Sequence, residues 1–163
     1  MDFAEIREIK KDDNSQLAKV LRQVLIEMNV PKTGTAYADA SVDMMFETYQ
    51  ADRSRYFVVE KEGMVLGGGG IAPLANFDGN ICELQKMYFL KEARGLGLGQ
   101  KMISLCLGFA TQHGFDACYL ETMPNMLDAQ KLYLKNGFEY IDAPMGNTGH
   151  CSCPVWMLKP LQV

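Results

Sequence analysis

The segment Arg94–Gln100, RGLGLGQ, constrains this chain most, because it places three glycines between a predicted strand and a predicted helix. Glycine lets the backbone approach a ligand closely. The first N–H groups of a helix lack intrahelical partners and carry partial positive charge, so the loop suits a phosphate or pyrophosphate. Arg94 adds a fork-shaped cation at the same place. The same glycines are also typical of a plain strand-to-helix turn, and the loop alone does not separate the two.

Two familiar nucleotide-binding motifs do not match this loop. A nucleotide P-loop requires Gly-Lys-Ser/Thr, which does not occur here. A Rossmann loop follows a parallel strand and precedes an acidic residue by about 20 positions. Asp116 and Glu121 lie near that distance, but the loop here comes past mid-chain, after a predicted antiparallel meander. Neither motif therefore explains the glycines.

Hydrophobic periodicity predicts an α/β protein with a single domain spanning 1–163. The sheet is expected to be mixed and mostly antiparallel, with about seven strands flanked by helices in the order β-α-α-β-β-β-α-β-α-β-β. Asp13 and Gln16 predict a capping box at the first helix. Gly67–Gly70 in the third strand predict a bulge or a close backbone approach. The predicted strands cover 3–10, 56–60, 64–74, 81–90, 116–122, 138–141 and 155–161. The predicted helices cover 13–28, 37–49 and 126–136, and a further long helix follows the glycine loop and ends near Gly114.

Charge and composition restrict the classes of molecule that the chain is expected to bind. Lys plus Arg is 16 and Asp plus Glu is 20, a net charge of −4, which argues against nucleic-acid binding and favours small or cationic partners. Apolar runs are short and no signal core precedes them, so we expect a cytoplasmic protein that does not enter the membrane. Cys151 and Cys153 beside His150 are spaced like one corner of a metal site, but no second Cys/His pair has zinc-site spacing, so we predict no metal.

Two segments resemble one known family. ELQKMYFLKEARGLGLGQKMI resembles motif A of the GNAT superfamily of acyl-CoA-dependent N-acetyltransferases, whose hallmark Arg/Gln-x-x-Gly-x-Gly/Ala is met by Arg94, Gly97 and Gly99. AQKLYLKNGFEY is similar to the family's motif B, and its matching positions are Ala129, Tyr133, Gly137 and Phe138. The predicted element order is also similar, so the resemblance covers nearly the whole chain.

The resemblance implies acetyl-CoA as co-substrate. Its pyrophosphate is expected on backbone N–H groups of the glycine loop, where added side chains at Gly97 or Gly99 would stand in its way and where Arg94 shapes the turn. Backbone groups of Met87 and Phe89 are expected to pair with the pantetheine arm, and the Met87 N–H to stabilise the oxyanion of the thioester. The expected phosphate-binding residues are Gly95, Gly97, Leu98, Gly99 and Gln100.

The resemblance also implies a role for Tyr133 as the general acid and leaves the base open. Tyr133 would protonate the leaving thiolate. The base is left open between Glu83, acting directly or through water, and Glu121 at the end of a strand. Strand alternation predicts that Glu83 shares one face with Gln85, Met87 and Phe89. His150 is interpreted either as an exposed loop histidine or as an acceptor-site group.

Three functions remain in competition. The first is an enzyme that transfers an acetyl group from acetyl-CoA directly to a primary amine, without a covalent enzyme intermediate. The second is a non-catalytic acyl-CoA-binding module, and the third an unrelated nucleotide-binding regulator that uses the same loop. Neither the acceptor amine nor the oligomeric state, including a homodimer, follows from the sequence.

Overall fold

The computed structural model describes residues 3–161, which form a seven-stranded sheet between two helical layers. The strand order is β1-β2-β3-β4-β5-β7-β6, and only β4 and β5 run parallel. The prediction of a mixed, mostly antiparallel α/β sheet is confirmed. The strands are β1 Glu5–Glu8, β2 Arg55–Lys61, β3 Met64–Pro73, β4 Ile81–Phe89, β5 Ala117–Thr122, β6 Glu139–Ile141 and β7 Val155–Pro160. The helices are α1 Asn14–Glu27, α2 Met45–Thr48, α3 Leu98–Gln112 and α4 Leu127–Lys135.

Each face of the sheet has its own apolar cluster. On one face α1 buries Leu17 and Leu21 against Tyr56 and Val58 of β2. On the other, α3 and α4 pack into a larger cluster that includes Met102. Burying one such side chain stabilises the fold by about 1.5–3 kcal/mol. No helix within residues 3–161 is long and apolar enough to cross a lipid bilayer.

The segment before β2 departs from its prediction. A helix over 37–49 was expected, but the chain forms two 3-10 turns, Ala36–Ala38 and Ala40–Asp43, followed by the single turn of α2. Asp39 lies between the turns in an extended conformation. Its carboxylate pairs with Lys86 and His150 from other elements. These tertiary contacts outweigh the local preference for a continuous helix.

The capping box at α1 is also wrong, although α1 begins where expected. Asp13 precedes the helix but makes no side-chain cap. Its carboxylate instead accepts two hydrogen bonds of 2.8 Å from Arg7 and one of 2.7 Å from the Lys10 N–H. The Gln16 side chain reaches β3, where it accepts from the Val65 N–H at 3.0 Å. Both residues therefore fasten α1 to the sheet.

A bulge in β4 reverses which way its side chains point. Gly68 pairs with Tyr88 and Gly70 with Gln85, so Lys86 and Met87 together lie opposite one β3 residue. Lys86 has a left-handed backbone, with φ +47°. A bulge of this kind interrupts the alternation of a strand.

The expectation that Glu83, Gln85, Met87 and Phe89 share a face is therefore wrong. Gln85 accepts a hydrogen bond of 2.6 Å from the Tyr49 hydroxyl on the α1 side and donates one of 2.7 Å to Glu83. Met87 and Phe89 pack against the α3 cluster on the opposite side.

The parallel strands β4 and β5 separate soon after they meet. They pair only through Ile81–Glu83 and Ala117–Tyr119. Beyond Glu83, β4 continues beside β3 alone as far as Phe89. The sheet therefore opens along one edge of β4, directly ahead of the glycine loop.

Candidate active site

A groove of about 840 Å³ occupies the gap between β4 and β5. Val24 of α1 and Met28, which follows this helix, line it on one face of the sheet, and α3 and α4 line it on the other. The groove extends from the glycine loop, past the β4 bulge, to Glu121. It therefore joins most of the residues that the sequence singled out.

The glycine loop presents an open helix terminus to this groove. Gly97 precedes α3 with φ +77°, and among residues 3–161 no side chain caps the helix. Gly95 also has a left-handed backbone, with φ +76°. A Cβ atom added at either glycine would meet nothing within 4 Å. The space beside the first N–H groups of α3 is thus free of protein and suits an anion.

Gly99 and Arg94 make contacts within the protein: Gly99 packs against α4, and Arg94 hydrogen-bonds to the end of β4. A Cβ at Gly99 would lie 2.9 Å from Leu132 Cδ2, so this glycine lets α3 pack on α4. That side chains at Gly97 and Gly99 would obstruct a pyrophosphate stays a prediction; the space for a Cβ is open at Gly97 and is occupied by Leu132 at Gly99. Arg94 Nε donates a 2.9 Å hydrogen bond to the Phe89 carbonyl. This bond ties the loop to the end of β4, as a turn-shaping arginine would.

Tyr133 of α4 lies between the core and the groove. It is 7% exposed, makes an edge-on contact with Phe138 and lines the groove wall. Burial raises the pKa of Tyr133 above its ordinary value. Its hydroxyl therefore keeps its proton near neutral pH and is available as a proton donor.

Two carboxylates face the α1 side of the sheet. Glu83 is 5% exposed, and burial raises its pKa to about 7, against the opposing effect of the hydrogen bond from Gln85. The charge of Glu121 raises the pKa of Glu83 further. Glu121 accepts hydrogen bonds from the Thr148 hydroxyl at 2.5 Å and from the Tyr119 hydroxyl at 2.6 Å. Of the two, Glu121 borders the groove directly.

An ion cluster that the sequence did not predict lies at the Glu121 end of the groove. Lys86 Nζ lies 3.0 Å from Asp39 Oδ2. His150 Nε2 donates to the same oxygen at 2.8 Å, and its Nδ1 is 3.9 Å from Glu121. Asp39 and Lys86 carried no signal because each was one charge among many. His150 belongs to this cluster and is mostly buried, so it is not an exposed loop histidine; its role at an acceptor site stays a prediction.

The cluster shifts the pKa values of its members. Burial alone would lower the pKa of His150, but the hydrogen bond and charge of Asp39 outweigh it, so the pKa is raised. Burial alone would raise the pKa of Asp39, but His150 and Lys86 lower it. The contact between His150 and Asp39 holds the loop before β7 against the segment after α1.

The cysteines near His150 form no metal centre within the part of the chain described. Among residues 3–161, no group of three or more His, Cys, Asp or Glu side chains is arranged to hold a metal ion. Cys151 is exposed and Cys153 is buried, and both are free thiols.

Comparison with known proteins gives consistent matches. The model of the acetyltransferase (GNAT) family matches residues 22–138. The chain is 44% identical to YjgM, an uncharacterized N-acetyltransferase of Escherichia coli K12, over 96% of this chain and 94% of that protein. A GNAT-family acetyltransferase of Staphylococcus aureus Mu50 superposes with a TM-score of 0.86 at 19% identity, covering 98% of this chain and 100% of that one. Salmonella typhimurium yncA, solved with acetyl-CoA, gives a TM-score of 0.77 at 18% identity and covers 99% and 95%.

Proposed function

The chain belongs to the GNAT family of acetyltransferases, and from this premise we propose that it transfers an acetyl group from acetyl-CoA directly to a primary amine. One observation carries the proposal: a single groove joins the open α3 terminus, the β4 bulge, Tyr133 and Glu121. An acyl-CoA of extended shape needs an anion site at one end and reactive groups at the other. The groove supplies both in that order.

The loop residues support a pyrophosphate site. The N–H groups of Leu98, Gly99 and Gln100 lie in the first turn of α3, where no side chain competes for them. Gly95 and Gly97 leave the adjoining space open. The pantetheine arm would then follow the free edge of β4 beside Met87 and Phe89, where β5 has diverged.

Acid and base come from opposite faces of the sheet. The amine nitrogen attacks the thioester carbonyl carbon while the Met87 N–H stabilises the developing oxyanion. The carbon–sulfur bond then breaks, and Tyr133, on the α3 and α4 side, donates its proton to the departing thiolate. Glu83 and Glu121 lie on the α1 side, where the amine would enter. Direct transfer between these faces requires no acyl-enzyme.

Glu83 is the base that the electrostatics favour. A pKa of about 7 leaves it partly ionised near neutral pH, whereas an ordinary glutamate is too weak a base for an ammonium of pKa near 10. Because Glu121 lines the groove and Glu83 does not, we assign the proton path from the amine to Glu83 to water. Glu121 attracts the cationic amine to the site.

The test is thiol release from acetyl-CoA in the presence of a panel of primary amines. We expect amine-dependent release of CoA, with cationic small amines the better acceptors. Acetyl-CoA at about 100 times its dissociation constant should also stabilise the fold by about 2.7 kcal/mol, and ATP and NAD should do much less. Stabilisation by acetyl-CoA without any turnover would indicate a non-catalytic acyl-CoA-binding module. Stabilisation by ATP instead would contradict the proposal.

A further inference from the structure

We propose that Tyr56 is a positioning residue for catalysis: its hydroxyl holds and polarises the Lys86–Met87 peptide, whose N–H faces the thioester carbonyl. Tyr56 lies on β2, two strands away from that peptide, and is fully buried. The inference rests on the proposed function, because it concerns the oxyanion donor of that reaction.

The hydrogen bond itself is short and falls on the bulge. The Tyr56 hydroxyl donates to the Lys86 carbonyl oxygen at 2.6 Å. Lys86 is the residue with φ +47°, a conformation that is unfavourable for a residue with a Cβ atom. A buried donor on its carbonyl offsets part of that cost and fixes the orientation of the peptide.

Peptide geometry then aims the N–H group. In a planar trans peptide the carbonyl and the N–H point in opposite directions, and residues 3–161 contain no cis peptide. The sheet order places β2 and β3 on one side of β4 and β5 on the other. With the Lys86 carbonyl turned towards Tyr56, the Met87 N–H turns towards the β5 side. That side holds the groove.

The glycine run of β3 makes this contact possible. Tyr56 must cross β3 to reach β4, and a Cβ at Gly68 or Gly70 would overlap its ring. A Cβ at Gly68 would also lie 2.7 Å from the Tyr56 hydroxyl oxygen. A side chain at either position would displace the ring from the bulge. The glycines that cost β3 intrinsic stability therefore have a specific use.

Burial also suits the hydroxyl to this role. Burial raises the pKa of Tyr56 well above its ordinary value, so the group remains a donor throughout the working pH range. A hydrogen bond to a carbonyl polarises the whole amide and strengthens its N–H as a donor. Tyr56 thus both aligns the Met87 N–H and increases its pull on the thioester oxygen.

The experiment compares wild type with Tyr56→Phe by isotope-edited infrared spectroscopy of bound acetyl-CoA carrying a ¹³C label at the acetyl carbonyl. In wild type we expect the carbonyl band to move to lower frequency on binding, and in Tyr56→Phe to move less. We expect kcat to fall by roughly threefold to tenfold, the scale of one hydrogen bond, with unchanged affinity for CoA, which lacks the carbonyl. Tyr140→Phe is the control, because it removes a 2.7 Å hydrogen bond from a β6 hydroxyl to Gln130 of α4 and should move neither readout.

Each outcome decides the proposal. Equal band shifts and equal kcat in wild type and Tyr56→Phe would overturn it, as would a parallel loss of CoA affinity, which indicates a collapsed groove. If Tyr56→Phe does not fold, Tyr56→3-fluorotyrosine keeps the ring and strengthens the donor, and the band should then move further than in wild type; no further movement overturns the proposal. Wild type that neither binds acetyl-CoA nor shifts its carbonyl contradicts the proposed function, and this inference with it.

Discussion

Glu83→Gln should stabilise the protein at neutral and alkaline pH while it impairs catalysis. Burial raises the pKa of Glu83 from 4.5 to about 7, so the folded protein binds this proton more tightly than the unfolded chain. Ionisation of Glu83 therefore costs stability progressively as the pH rises from 4.5 to about 7, and the cost is constant above that. Each pKa unit corresponds to 1.36 kcal/mol, so the full cost is about 3 kcal/mol. Glutamine has a similar shape and no charge, and it avoids this cost.

Urea unfolding at several pH values between about 4 and about 9 measures the effect. The unfolding free energy of Glu83→Gln minus that of wild type should grow across the window from pH 4.5 to about 7 and then level off. A change in the hydrogen bond from Gln85 would add a constant to this difference and would not alter its dependence on pH. Glu92→Gln, at an exposed position, is the matched control for loss of one carboxylate. A difference that does not vary with pH would refute the reasoning.

The activity of the same variant separates two roles for Glu83. If Glu83 accepts the amine proton, kcat/KM of Glu83→Gln should fall most at neutral pH and recover in alkali, where more of the amine is already neutral. Equal loss at every pH would point to acceptor positioning. No loss would leave Glu121 as the candidate base.

Three further changes test other parts of the site. Tyr133→Phe should lower kcat by roughly 10²-fold with unchanged acetyl-CoA affinity, and an unchanged kcat in steady-state assays would show that the thiolate leaves without this proton. Gly97→Ala should weaken acetyl-CoA binding by roughly tenfold in calorimetry, because φ +77° strains any residue with a Cβ; Gly108→Ala, on the exposed side of α3, should keep wild-type affinity. His150→Gln should lower stability below pH 6.5, where wild-type His150 is protonated beside Asp39, and the difference in urea unfolding should shrink as the pH rises through the raised pKa of His150; a pH-independent difference would contradict the pairing.

The sequence predicted those parts of the fold in which local pattern and tertiary structure agree. The glycine loop is a starting signal for a long helix, and α3 follows this loop as expected, from Leu98 to Gln112. The sheet strands were also found, because alternating or apolar runs between turn residues identify them. The helix expected over 37–49 failed because Asp39 is recruited by Lys86 and His150, which are distant in the sequence.

The candidate site was predictable in composition and less so in geometry. Motif spacing identified Tyr133 and the glycine loop, and both line one groove. The face of Glu83 was mispredicted because the bulge at Lys86 reverses the strand, and nothing local marks a lysine for a left-handed backbone. The only trace of that bulge in the sequence was Gly67–Gly70, which suggested a bulge or a close approach without naming the partner strand.

The short pairing of β4 with β5 leaves a gap between these two strands inside the sheet. Three register pairs, at Ile81–Glu83, join the two halves directly, and farther along each strand presents an unpaired backbone edge to the other. Exposed edges usually recruit foreign strands, but these two face each other across a slot that α1 and α4 wall off. An extended chain lying in this slot would complete the hydrogen bonding of both edges. A bound ligand would then occupy the gap and hydrogen-bond to both edges. The backbone amide groups along the gap should therefore exchange with solvent slowly only while a ligand is bound.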